Sequence, residues 1–385
     1  MPTEKLYLLF SAAAFFFIPL RTQAQTIPAA TAQKIDALFS HVTETSPGYM
    51  VGVIKDTDFL FQKGYGAANL EYGIPISATS AFNVASLSKQ FTAACVALLI
   101  LDGKVSLDDP IKKYLPQFPK YKQEIRLKHL IYMTSGINDY YYNDRENNLD
   151  WSSLQFFNID DAIAASLGNK SLMYAPGTQW SYSNINYMLL TKVVEKVSGM
   201  SFADFATQKL FQPLGMEQTL VNDDIFQVIP NRVVGYNHRD EENTGWLLES
   251  GYLNDAGEGF LQINRNSPHY GGSGVYTSLE DLKKWIANFH TKAFGGNAFY
   301  ELMHQTMAFE HDKTNDAFGL AFGDFNGHEI VWYEGGDWGV SSYQMRFPKT
   351  GLTVICLSNL GTGNARQQVN RIMDILVADG AVELE

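Results

Sequence analysis

Residues 82–91 read FNVASLSKQF and place Ser86 three positions before Lys89, at the head of an apolar run. A serine hydroxyl is a poor nucleophile until a neighbouring base takes its proton. Residues three apart share a helical face, so Lys89 would reach Ser86 if a helix starts there. Unpaired N–H groups and the positive end of the dipole would then lie beside the hydroxyl. Lysine serves as a base only where burial or another cation lowers its pKa. The same residues also fit a plainer reading, a serine cap followed by a solvated lysine.

Two further stretches carry groups of the same kind. Tyr182-Ser183-Asn184 stands immediately before an apolar helical pattern. A phenol there can relay a proton, and the Asn184 amide can donate to a substrate carbonyl and accept from a lysine. In isolation it is a loop tyrosine beside a turn asparagine. Gly335-Gly336, at the edge of a strand pattern, would let a substrate lie against the backbone and leave an N–H free for a developing oxyanion, or would simply shape a hairpin. The eight histidines show no ligand spacing, and neither metal nor cofactor is expected.

The elements that must position these groups follow from periodicity. Residues 29–45 read as an opening amphipathic helix, and the β-rich runs 48–56 and 58–71 as a hairpin. The middle of the chain is helical in pattern. One segment runs from Ser86 to Gly103 and a second ends at Gly199, while a third begins at Ser278 with Asp281 at capping-box spacing. The last quarter returns to strands, in FGLAFGDF, EIVWYEGG, VSSYQMRF and LTVICLSN, and closes on a helix. Strands at both ends with helices between predict an α+β fold. Its single antiparallel sheet would be built from about 25–85 and 296–385, with a helical part inserted over about 86–295 and a cleft between them.

The 385 residues include 41 acidic and 29 basic side chains, a formal charge of −12, and no cluster of Lys and Arg. Nucleic acid is therefore not an expected partner. Lys5, the apolar run from Leu6 to Leu20 and the small residues Thr22-Gln23-Ala24 read as an export signal cleaved near Ala24. Its 15-residue core is short for a membrane span, and the alternative is an uncleaved anchor. The mature chain, from about residue 25, is expected in the periplasm or outside the cell, with no membrane span. Cys95 and Cys356 fall in apolar runs and read as free, buried thiols.

The order Ser-x-x-Lys, Tyr-x-Asn and a strand closing on x-x-Gly resembles the serine β-lactamase and penicillin-binding protein superfamily. More closely it is similar to the branch of class C β-lactamases, DD-carboxypeptidases and family VIII esterases. The connecting stretches LDGKVSLDDPIKKYLPQFP, IRLKHLIYMTSGINDY and GGSGVYTSLEDLKKW share that branch's order and spacing, and the match runs over about Ala29 to Asp379. The resemblance implies the β-lactamase/transpeptidase-like fold, with Ser86 as acylated nucleophile and Lys89 as base or proton shuttle. It implies Tyr182 as the group that protonates the leaving group, Asn184 as a substrate contact, and the N–H groups of Ser86 and Gly336 as the oxyanion hole.

Departures from the pattern bear on substrate. The third motif begins with Tyr333 where the family has Lys, His or Trp, so no cation is supplied there for a substrate carboxylate. Glu334 would repel such a carboxylate if it faced the cleft, and Met133 replaces a polar residue before Thr134-Ser135-Gly136. Residues 139–148 and 238–260 could border or cover the site, or be ordinary solvated loops. The expectation is an exported serine hydrolase acting on a small ester, amide or short peptide that is neutral or amine-bearing. Its rivals are a DD-carboxypeptidase or β-lactamase, and a non-catalytic envelope-binding protein keeping the fold.

Overall fold

Alternating apolar residues at the two ends of the chain meet in one sheet. The computed structural model describes residues 26–140, 157–168, 171–240, 253–255, 257–263, 269–309, 312–313 and 315–384. The leader expected over 1–24, most of 139–148 and the centre of 238–260 lie outside them. Helix α1 spans Ala29–Leu38. It ends before the expected residue 45: Phe39 and Ser40 N–H bond the carbonyls three residues back, at Asp36 and Ala37, and a turn follows in which Thr43 and Ser46 bond each other's backbone and side chain (Thr43 N–H to Ser46 Oγ, 3.0 Å). Strands β1 (Tyr49–Lys55) and β2 (Asp58–Tyr65) form the hairpin, with Lys55 opposite Asp58 and Tyr49 opposite Tyr65.

The helical layer is carried by α2 (Ser88–Leu101), α3 (Asn184–Ser198), α4 (Leu279–Thr291) and α5 (Gly296–Met303). Short strands occur among them, including Val275–Thr277. The C-terminal strands β3 (Ala321–Phe325), β4 (His328–Asp337), β5 (Val340–Phe347) and β6 (Leu352–Ser358) precede α6 (Ala365–Ala378). The sheet runs β3-β4-β5-β6-β1-β2, antiparallel throughout, so β1 closes on β6 with Tyr49 opposite Ser358 and Lys55 opposite Leu352. The fold is α+β, as the patterning implied.

Period-2 burial then sorts the side chains into two cores. Met50, Ile54, Ile355 and Leu357 face Phe91, Leu99 and Trp285 of the helical layer. Val51, Val53, Val354 and Cys356 face Ile35, Val369 and Ile372 on α1 and α6. Buried apolar side chains of this size contribute about 1.5–3 kcal/mol each. Helix α2 is apolar on nearly all sides because it lies inside the first core, which fixes its first turn against the sheet. Strand β3 pairs with β4 only from His328 to Trp332, leaving Tyr333–Asp337 without a partner strand on that edge.

Candidate active site

The nucleophile segment is set by backbone geometry upstream of α2. Phe82 and Asn83 pair with Thr277 and Tyr276, and the Asn83 side chain accepts from Ala85 N–H at 2.9 Å. Ala85 has φ 45°, a left-handed conformation that costs a non-glycine residue about 1–2 kcal/mol. A 3₁₀ turn, Ala85–Leu87, follows, and the α-helix begins only at Ser88. The helix start therefore lies two residues later than Ser86, and Ser88 rather than Ser86 holds a neighbouring backbone group, accepting from Val275 N–H at 3.0 Å. Within residues 84–90 only Ser86 is not buried, so the strained turn presents that one side chain.

Lys89 is buried completely, which excludes the solvated reading. Its Nζ donates to Ser86 Oγ at 3.0 Å, Asn184 Oδ1 at 2.8 Å and the Gly272 carbonyl at 2.5 Å. It also lies 4.8 Å from the centre of the Tyr182 ring. Burial brings the ammonium down to about 7, against the opposing pull of the Asp139 and Asp337 carboxylates. Near neutral pH Lys89 thus exchanges its proton readily.

Tyr182 closes the cluster, its hydroxyl 2.5 Å from Ser86 Oγ and 3.5 Å from Asn184 Oδ1. The loop that carries it is fixed by Met133, whose carbonyl accepts from Ser181 N–H at 2.9 Å and whose sulfur accepts from Ser183 N–H at 3.4 Å. Asp139 caps α3 by accepting from the backbone N–H groups of Asn184 and Ile185. These three supports had no signature of their own. Met133 read as a loss of polarity, Asp139 as one residue of a loop, and the Gly272 carbonyl carries no side chain at all.

The third segment lies across the nucleophile. A Cβ added at Gly335 would stand 2.4 Å from Val84 O and 2.8 Å from Ser86 N, so β4 packs directly on the turn. Ser342 of β5 donates to Val84 O at 2.9 Å and secures the same contact. Gly336 is exposed, with open space where a side chain would project. Tyr333 is buried beneath the site, and burial together with Tyr182, Tyr187, Asp316 and Glu334 pushes its phenol well above 10. It stays neutral. Glu334 takes the opposite face of the sheet, exposed and 3.6 Å from Arg366 on α6, so its charge does not enter the cleft.

One carboxylate near this site was not anticipated. Asp316 is pushed up to about 6 by burial, opposed by a hydrogen bond from the Trp180 side chain, and it acts electrostatically on both Tyr187 and Tyr333. The loop carrying it is pressed against α2: a Cβ on Gly319 would stand 2.5 Å from Gln90 N. Among the described residues no group of three or more His, Cys, Asp and Glu is arranged to hold a metal ion, and no helix is long and apolar enough to cross a membrane.

The arrangement therefore offers an activatable hydroxyl, a base near neutrality and a phenol each bonded to it, and open backbone opposite. A family model described as Beta-lactamase matches residues 35–379. The chain is 27% identical over 316 residues to a D-aminopeptidase of Gluconobacter oxydans (strain 621H), covering 81% of this chain and 56% of that protein. It is 30% identical over 311 residues to penicillin-binding protein 4* of Bacillus subtilis (strain 168), covering 78% and 66%. It thus spans between 56% and 66% of the length of these two relatives. The D-amino acid amidase of Ochrobactrum anthropi SV3, solved with D-phenylalanine, superimposes with a TM-score of 0.70 at 20% identity, over 91% of this chain and 99% of that one.

Proposed function

The chain belongs to the beta-lactamase family of serine hydrolases, and from that premise we propose that it cleaves small amides or esters bearing a free amine through an acyl-enzyme on Ser86. The observation that carries the reading is the Lys89 amine, fully buried, near neutrality and 3.0 Å from the Ser86 hydroxyl. Neutral Lys89 takes the Ser86 proton, directly or through Tyr182, as Oγ bonds to the substrate carbonyl carbon. The carbonyl electrons move to oxygen, where the N–H groups of Ser86 and Gly336 receive them. Collapse expels the amine or alcohol, which takes a proton from Tyr182, itself resupplied by Lys89. Water then loses a proton to the same pair and adds to the acyl carbon; collapse breaks the C–Oγ bond as that proton passes to Ser86 Oγ, restoring the free hydroxyl.

Charge around the cleft supports an amine on the donor. Tyr333 supplies a neutral hydroxyl where a cation would draw a carboxylate, and Asp316, ionised above about pH 6, supplies a negative charge beside it. The names of two similar proteins, a D-aminopeptidase and a D-amino acid amidase, point the same way. Export through residues 1–24 belongs to this reading and rests on their apolar core alone.

The test compares D-amino-acid amides with their N-acetylated forms, on the wild type and Ser86→Ala. We expect turnover of the free amines, a loss of about 10² or more in kcat/KM on acetylation, and none with Ser86→Ala. Equal turnover of acetylated donors would remove the amine from the reading; activity in Ser86→Ala would remove the acyl-enzyme. The similarity to penicillin-binding protein 4* sustains a second reading, a penicillin-reactive peptidase. A stable benzylpenicillin adduct by intact mass, absent from Ser86→Ala, would favour it.

A further inference from the structure

One buried acid–imidazole pair stands beside the catalytic cluster, and neither member moves a proton in the proposed hydrolysis. Asp337 closes β4, two residues past Gly335 and so on the same face of the strand, about 7 Å further along. Gly335 packs on Ser86 N, which puts Asp337 on the side of the sheet that carries the nucleophile turn. Its Oδ1 accepts from Trp338 N–H at 2.8 Å, and its Oδ2 stands 3.4 Å from His269 Nε2. The two side chains are only 5% and 8% exposed. His269 and Trp338 share a cavity of about 30 Å³ with Asn83, whose side chain holds Ala85 N–H.

The loop from His269 to Val275 is pinned to α2 at three points. Thr92 donates to the Gly271 carbonyl at 2.9 Å, Lys89 donates to the Gly272 carbonyl at 2.5 Å, and Ser88 accepts from Val275 N–H at 3.0 Å. His269 carries the same loop to β4. Around Lys89 stand Tyr182 and Tyr187 from the segment that opens α3, their ring centres 4.8 and 5.9 Å from Nζ, with the Asp139 and Asp337 carboxylates acting on it as well. Asp139 is committed to the backbone N–H groups at the start of α3. Asp337 also acts on the buried Tyr276 phenol, over whose ring Arg232 stands at 5.1 Å. A carboxylate near a buried ammonium favours its charged form, against the burial that makes Lys89 a base. We propose that His269 and Asp337 are a positioning pair for the hydrolysis: they fasten the loop that receives Lys89 to the end of the oxyanion strand, and they hold one carboxylate facing the base. The inference rests on Lys89 acting as the base of the Ser86 reaction. Without the Asp337 charge, burial is less opposed and the amine stays neutral to lower pH.

The experiment follows the Lys89 Cε resonance of the lysine-labelled full chain against pH, assigned by its loss in Lys89→Met. In parallel, kcat/KM for nitrophenyl acetate is measured over the same range. The wild-type midpoint should fall at about 7, and that of Asp337→Asn about one pH unit lower, with the acid limb of kcat/KM moving by the same amount. His269→Ala should move the midpoint in the same direction and lower kcat about tenfold with KM near the wild type. His269→Gln, which keeps a donor beside Asp337, should recover both. A midpoint left at the wild-type value in Asp337→Asn would overturn the proposal. So would a His269→Ala variant that loses Tm but keeps midpoint and kcat, since the imidazole would then serve folding alone. The resonance is read without turnover, which separates this inference from the reaction it serves. An absent Ser86 acyl adduct would remove the reaction and leave the midpoint shift; an unmoved midpoint would remove the pair's role and leave the reaction.

Discussion

Lys89 gives up all contact with water to stand between Ser86, Asn184 and the Gly272 carbonyl, and that burial holds its pKa at about 7 instead of 10.5. The unfolded chain therefore binds a proton that the folded chain lacks across roughly pH 7 to 10.5, so this residue's contribution to stability improves as pH rises through that window and is worst below it. Replacing it by methionine removes the titration. We predict that the stability of the wild type rises relative to Lys89→Met by up to about 1.4 kcal/mol per pH unit between 7 and 10, measured by denaturant unfolding at each pH. A pH-independent difference would mean that Lys89 is solvated in solution. The same pKa requires wild-type kcat/KM to climb through about pH 7 as the amine becomes a base, and Lys89→Met to lack that limb.

At the scale of elements, two adjacent glycines on β4 have opposite parts. Gly335 must be bare because Val84 O and Ser86 N occupy the space of its side chain, whereas a side chain on Gly336 would project into open space on the face that Glu334 takes. Gly335→Ala has to push β4 off the nucleophile turn; we expect at least a 10²-fold fall in kcat with lowered Tm. Gly336→Ala should leave Tm and kcat close to the wild type, since its methyl projects into open space on the opposite face of the strand. If the two variants behaved alike, the close packing of β4 on the turn would not hold in solution. These glycines, with Ser86, Lys89, Tyr182 and Asn184, were legible in the sequence because each is tied to a local pattern: a lysine one helical turn on, a helix just beginning, a strand ending. The supports were not. Asp139 reaches Asn184 across 45 positions, and Gly272 and Met133 contribute a backbone carbonyl and a sulfur that no spacing rule reads. The side of the sheet taken by Glu334 follows from strand register, which is settled by pairing with β5 and not by the local motif.

Over the whole molecule, the site exists only where the two layers meet. Ser86 and Lys89 come from the helical layer and Gly335-Gly336 from the sheet, and the sheet itself is closed by pairing residues 49–55 with residues 352–358. The two cysteines sample these layers independently. Cys95 lies on α2 in the core between sheet and helices, and Cys356 lies on β6 in the core against α1 and α6. Both are free and fully buried, and burial pushes both thiols well above their ordinary range, so neither reacts while its core is closed. Because β1 and β6 contribute side chains to both cores, opening one removes half the packing of the strands that hold the other. We therefore expect Cys95 and Cys356 to become accessible to a thiol reagent at the same denaturant concentration, and hydrolase activity to disappear there too. Mass-resolved labelling at each concentration measures this directly. Modification of Cys356 while Cys95 stays protected would show that the α1–α6 face opens as a separate unit, and activity surviving that opening would place the site's integrity in the helix-facing core alone.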